Sequence, residues 1–103
     1  MDLLELIDSL IEEYDSDVSH LLNINDKLGA HMELCNIIDA FNMRRDEVLV
    51  YHHGYALLQL GANILDQINS GKGVSDELCR RYKAPMLQLR LSVKSGNFYK
   101  NAV

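Results

Sequence analysis

LELIDSLIEEYDSDVSHLLNINDKLGAHMELC, residues 4–35, is the stretch whose reading decides the fold. Alternating steps of three and four along it collect Leu4, Ile7, Ile11, Tyr14, Val18, Leu21, Asn25, Leu28, Met32 and Cys35, with Asn25 the one polar member. Glu5, Ser9, Glu12, Ser16, Ser19, Asp26 and Glu33 fall on the other side. An apolar face opposed by a polar one is the pattern of an amphipathic helix, and the seven-residue repeat is that of helices packed along a seam. Leu3, Leu10, Leu22 and Ile24 flank the seam and make it broader than a two-stranded coiled coil needs, so the face belongs in a bundle. The heptad phase passes through the turn-favouring Asp15-Ser16-Asp17 without a slip, which predicts one helix from Asp2 to Phe41, about 60 Å long. A break at Asp15–Asp17 is the alternative, with the first fourteen residues folding back as a helix of their own.

Working outward, Asn42-Met43 predicts a tight connection, and Asp46 and Glu47 suit the first turns of a second helix from Arg44 to Asn69. That helix carries two apolar stripes, Val48, Tyr51, Tyr55, Leu58, Ala62 and Leu65 on one side and Leu57, Leu60, Ile64 and Ile68 on another, as a central helix would. Gly54 and Gly61 lie seven apart and admit a neighbouring backbone. Ser70-Gly71-Lys72-Gly73 breaks the chain, Ser75 caps a third segment, and Pro85 predicts either a kink in it or a fresh helix beginning there. Phe98 to Val103 is expected to fold back or fray.

The 103 residues thus read as a single all-α domain, 1–103: a long N-terminal heptad helix, an antiparallel second helix and a kinked third helix, forming a three- to four-helix bundle. A second helix shorter than the first leaves residues 1–17 as an arm that protrudes, its apolar stripe seeking another subunit. The expected interface residues are Leu4, Ile7, Leu10, Ile11, Tyr14, Val18 and Asn25, and the expected assembly is a homodimer or larger oligomer.

Charge is divided along the chain. Residues 1–20 carry Asp2, Glu5, Asp8, Glu12, Glu13, Asp15 and Asp17 with no Lys or Arg, whereas Arg80, Arg81, Lys83, Arg90 and Lys94 crowd the third segment. The basic set is a candidate anion site, for a phosphate or nucleotide, or else it pairs with the acidic arm. A net charge of −5 argues against nucleic acid as a general partner. No run approaches the roughly 18 apolar residues of a membrane span, and the acidic start is unlike a signal peptide, so a cytoplasmic setting without membrane contact is expected. Cys35 and Cys79 are too few for a disulfide framework and are expected as reduced thiols.

Motifs for chemistry are sparse. Arg45 and His52, six residues between them and Asp46 following the arginine, resemble the arginine–histidine motif of HEPN-type ribonucleases, all-α proteins that often act as dimers. That resemblance implies metal-independent RNA cleavage in a cleft at the dimer interface, with Arg45 and His52 as the working residues. His31 and Cys35, four apart, would need His52 or His53 to complete a zinc site, and a histidine and thiol in a helical core is the simpler reading. Glu12, Glu13 and Glu33 do not supply the paired ExxE pattern of magnesium-binding helices, and Gly71-Lys72-Gly73 is not a phosphate loop. No cofactor, metal or catalytic residue is assigned. The function expected is that of a non-enzymatic helical module that oligomerises and regulates, inhibits or chaperones a partner protein. Binding of a small anionic ligand through the third segment is the remaining alternative.

Overall fold

The computed structural model describes residues 1–99, and these residues are helical with no β-strand among them. Helix α1 (Leu3–Glu13) begins in a reciprocal cap: the Glu5 amide donates to Asp2 Oδ1 at 2.8 Å and the Asp2 amide to Glu5 Oε1 at 3.1 Å. Tyr14–Val18 is a π-helical turn, closed by the Ser19 amide donating to the Tyr14 carbonyl five residues back, and α2 (Ser19–Asn23) continues the same rod. The wider turn has a purpose in packing. Steps of four residues drift around an α-helix, and one turn of larger circumference returns Tyr14, Val18 and Leu22 to the buried side already occupied by Leu3, Ile7 and Leu10.

The predicted continuity to Phe41 does not hold. The rod ends at Ile24–Asp26, where Asn25 takes the left-handed conformation (φ 62°) and the Asp26 amide donates back to the Leu21 carbonyl at 2.8 Å. Asparagine tolerates this conformation better than most side chains, so the residue expected to register a seam instead turns the chain out of it. Asp26 then caps α3 (Lys27–Met43), accepting from the Gly29 amide at 3.0 Å. The whole molecule is 43 Å in its longest dimension, too short for the single helix first expected.

The second helix is likewise two. A short α4 (Arg45–Leu49) is followed by a link and then α5 (Gly54–Asn69), with His53 left-handed at φ 69° between them. Gly54 sits so close to the Val48 carbonyl that a Cβ there would lie 2.0 Å from its oxygen, which fixes glycine at that position. Ser70–Gly73 ends α5 as expected, and Ser75 Oγ accepts from the Leu78 amide at 3.1 Å to start α6 (Asp76–Arg81). The chain then restarts as α7 (Lys83–Ser95), with Pro85 buried in its first turn, where a missing amide costs nothing. The restart comes two residues before the proline rather than at it.

Helix α1 lies against α7, α3 against the π turn and α5, and α5 against α7. Their shared core contains Ile7, Tyr14, Leu34, Phe41, Leu57, Ile64, Tyr82, Met86 and Leu89, all essentially inaccessible. Residues 1–17 therefore do not protrude. The overhang was deduced from a rigid 40-residue helix, and once the chain turns at Asn25 the first rod folds back onto the rest. Phe98 and Tyr99 do fold back, Phe98 bridging to Tyr51 and the Tyr99 amide donating to the Val50 carbonyl, and residues 100–103 of the predicted tail lie outside the described residues.

Candidate functional site

The outer face of α3 departs from ordinary burial. Its inner face, Ala30, Leu34, Ile37, Ile38 and Phe41, is fully buried, which fixes the rotation of the helix. Leu28 and Met32 are then left 72% and 60% exposed, and Ile24, one turn earlier at the chain reversal, 58% exposed. Leu28 and Met32, one helical turn apart, form an apolar strip in water. The half-buried Cys35 continues it, its thiol pushed above the usual range by desolvation first and by the nearby Asp39 charge second. His31 flanks the strip half-buried, and its Nε2 is shielded from solvent without a hydrogen-bond partner.

The residues expected at an interface divide. Ile7, Leu10, Tyr14 and Val18 are consumed by the chain's own core, Leu4 and Ile11 are half-buried, and Asn25 is exposed at the reversal. The first half of the predicted seam thus packs inside the chain and the second half, Leu28 and Met32, faces out. Sequence periodicity located both halves but could not show that a turn separates them.

The basic residues of α6 and α7 are met by partners from the same chain. Lys83 Nζ lies 2.7 Å from Asp15 Oδ1, Arg90 Nε 2.5 Å from Asp8 Oδ1, Arg81 2.6 Å from Glu77 Oε1, and Arg80 donates to Asn23 Oδ1 at 3.0 Å. Lys94 is exposed in the last turn of α7. The acidic start and basic end of the sequence are thereby joined within one molecule.

Arg45 and His52 do not share a cleft. Arg45 is exposed at the head of α4 and lines a cavity of about 330 Å³ formed by residues 42–47. His52 lies beyond the end of α4 and lines a different cavity, of about 460 Å³, with Leu49, Tyr51, His53, Tyr55, Ala56 and Tyr99. The two-turn helical spacing assumed for the pair is interrupted at Leu49, so the geometry on which the ribonuclease resemblance depends is not present within the chain.

The second cavity is held by backbone bonds between the α4–α5 link and the C-terminal segment. The His52 amide donates to the Asn97 carbonyl at 3.0 Å and the Tyr99 amide to the Val50 carbonyl at 2.8 Å. Tyr51 stacks on Phe98 with centroids 5.1 Å apart, and the Tyr99 ring stands edge-on to His52 at 6.0 Å. Sequence reasoning missed this cavity because it treated Tyr51 and Tyr55 as successive members of one helical stripe.

Three carboxylates were also brought together unexpectedly. Glu13, Asp17 and Glu33 have oxygens within 4.8 Å of one another, the π turn swinging Asp17 toward α3. Partial desolvation, then the charges of Glu33 and Asp17, hold the Glu13 carboxyl above its ordinary range. Exposed acidic groups crowd in this way without any ion, and the cluster carries no assignment. Cys79, buried, has its thiol pushed up to about 11 chiefly by burial, which makes it inert. A scan against protein-family models finds no match, and comparison with curated proteins and with solved structures finds none either.

Proposed function

We propose that the chain is a non-enzymatic helical-bundle module that self-associates through the outer face of α3 and uses the resulting surface to bind, and so regulate, inhibit or chaperone, a partner protein in the cytoplasm. The observation that carries this reading is the pair Leu28 and Met32, exposed on a helix whose opposite face is fully buried, with Ile24 exposed at the reversal that precedes it. Contiguous apolar surface of a few hundred Å² is the common mark of a contact surface. Burying the remaining exposed half of three such side chains contributes about 4 kcal/mol. By itself that corresponds to a dissociation constant of about 1 mM, so His31, Cys35 and the half-buried Leu21 have to join the contact for assembly to be useful.

The other two readings have weaker support. Anion binding by Arg80, Arg81, Lys83 and Arg90 would require releasing the carboxylate or amide oxygens each already holds. RNA cleavage by Arg45 and His52 would require a second copy to bring together what one chain keeps in separate cavities.

Sedimentation equilibrium between 10 and 500 µM tests the proposal. A mass that rises with concentration for the native chain, and stays at one subunit for Leu28→Asp with Met32→Asp, is the expected result. Both positions are exposed, so the variant keeps its helicity. A native chain that remains a monomer at 500 µM, or a variant that associates as well as the native chain, overturns it.

A further inference from the structure

The cavity between the α4–α5 link and the C-terminal segment is bordered by tightly constrained backbone. His53 is held at φ 69°, a conformation glycine adopts without strain and a histidine does not. Gly54 is fixed by the Val48 carbonyl 2.0 Å from where its Cβ would be. The isolated bridge between Tyr51 and Phe98 pins a chain end over the link. Backbone outliers of this kind gather at ligand sites, where the surrounding structure holds them in place. Here Tyr51 and His53 line one space of about 460 Å³, within the range of small-molecule pockets.

We infer that this cavity is a binding site for a small, neutral, planar aromatic heterocycle. Its walls are three tyrosines, Tyr51, Tyr55 and Tyr99, two imidazoles, His52 and His53, and the aliphatic Leu49. Ring faces favour a flat π-system over an aliphatic molecule of the same size. The Tyr51 and Tyr55 hydroxyls and the imidazole nitrogens are hydrogen-bonding groups that both donate and accept, which suits the ring N–H and carbonyl edge of a heterocycle. No carboxylate among the described residues lines the space, and the opening turn of α5 presents the positive end of its helix there, which disfavours a cation among the rings. No Lys or Arg among the described residues lines it either, so an anion would find only the helix end and no charged side chain to offset its desolvation. The site stands apart from the α3 strip, and either can fail without the other.

Indole serves as the probe, titrated into the ¹⁵N-labelled full chain and followed by amide shifts. Cyclohexanol, choline and 2-naphthoate are the aliphatic, cationic and anionic comparisons. Indole is expected to saturate at submillimolar concentration, to move the amides of residues 49–56 and Tyr99 most, and to bind at least tenfold tighter than each comparison. Tyr55 is 64% exposed, so Tyr55→Ala preserves the fold while removing one wall, and it should weaken indole at least fivefold. His53→Gly keeps the left-handed turn without strain, removes one imidazole, and should weaken indole at least threefold. Indole that fails to saturate by 5 mM overturns the inference, as does cyclohexanol binding equally well, choline or naphthoate binding tighter, or both variants retaining native affinity.

Discussion

The Tyr14 hydroxyl donates to the Cys79 carbonyl at 2.6 Å from a side chain with almost no solvent exposure, tying the π turn to α6. Tyr14→Phe removes the donor and leaves the Cys79 carbonyl with only the longer bond from the Tyr82 amide at 3.3 Å, so it should cost about 0.5–1.5 kcal/mol in urea unfolding. Burial pushes the Tyr14 phenol up to about 12 from an ordinary value of 10. The folded chain therefore keeps that proton after the unfolded chain has released it. The stability this contributes is complete below pH 10 and is lost as the pH rises toward 12, and the loss should be shallower in Tyr14→Phe. Glu13 follows the same sign at the acid end: its raised carboxyl favours the folded state while protonated, and stability falls as the pH rises through the carboxylate range. Glu13→Gln should remove that fall and raise the neutral-pH melting temperature slightly, since relieving a like-charge helix pair contributes about 0.3 kcal/mol. Among glycines, Gly54→Ala should prevent folding, whereas Gly61→Ala, whose Cβ would stand 3.0 Å from Ile38 Cγ2, should cost far less because a side chain can yield and a carbonyl cannot. Soluble yield and circular dichroism separate the two.

At the scale of elements, what the sequence revealed depended on whether the signal was local. The Asp2 and Ser75 caps and the Ser70–Gly73 break were legible because capping and chain reversal are written into neighbouring residues. The reversal at Asn25 was hidden because asparagine at that position also continues a heptad, and periodicity cannot tell a polar seam residue from a left-handed turn. Arg44–Asn69 read as one helix because Tyr51 and Tyr55 keep helical spacing across a link that is not helical. The π turn left no periodic trace, since it corrects the drift that would have exposed it. That correction makes a prediction. Deleting the exposed Ser16 should convert the turn to ordinary α-helix while keeping Tyr14, Val18 and Leu22 on the buried side, so the deletion should fold with a melting temperature within several degrees of native. A deletion at Ile7, inside α1, should not fold.

Over the whole molecule, charge pairing and apolar burial both join α1 to α7, and their magnitudes decide which holds it. Asp8–Arg90 and Asp15–Lys83 are half-exposed pairs contributing about 0.2–1 kcal/mol each. Ile7 alone, fully buried, should cost about 2–5 kcal/mol when cut to alanine. Asp8→Asn with Asp15→Asn should therefore lower stability by about 1 kcal/mol in dilute buffer and by nothing measurable in 1 M salt, with chemical denaturation at the two salt concentrations as the check. The candidate surfaces were legible only in part: Leu28 and Met32 stood in the predicted seam, while the aromatic cavity depends on a contact between residue 51 and residue 98 that no local pattern records.

The pairing of α1 with α7 also sets an order of events during synthesis. Helix α1 is made before the rest of the core, yet Met86 and Leu89, which close that core, lie in α7 and are made after every other helix described. At about 5–20 residues per second, Ile7, Leu10 and Tyr14 wait for several seconds without the helix that covers them. A nascent chain of this protein holds that apolar face uncovered for the interval, and stalling translation before α7 should leave a product that aggregates rather than one that waits.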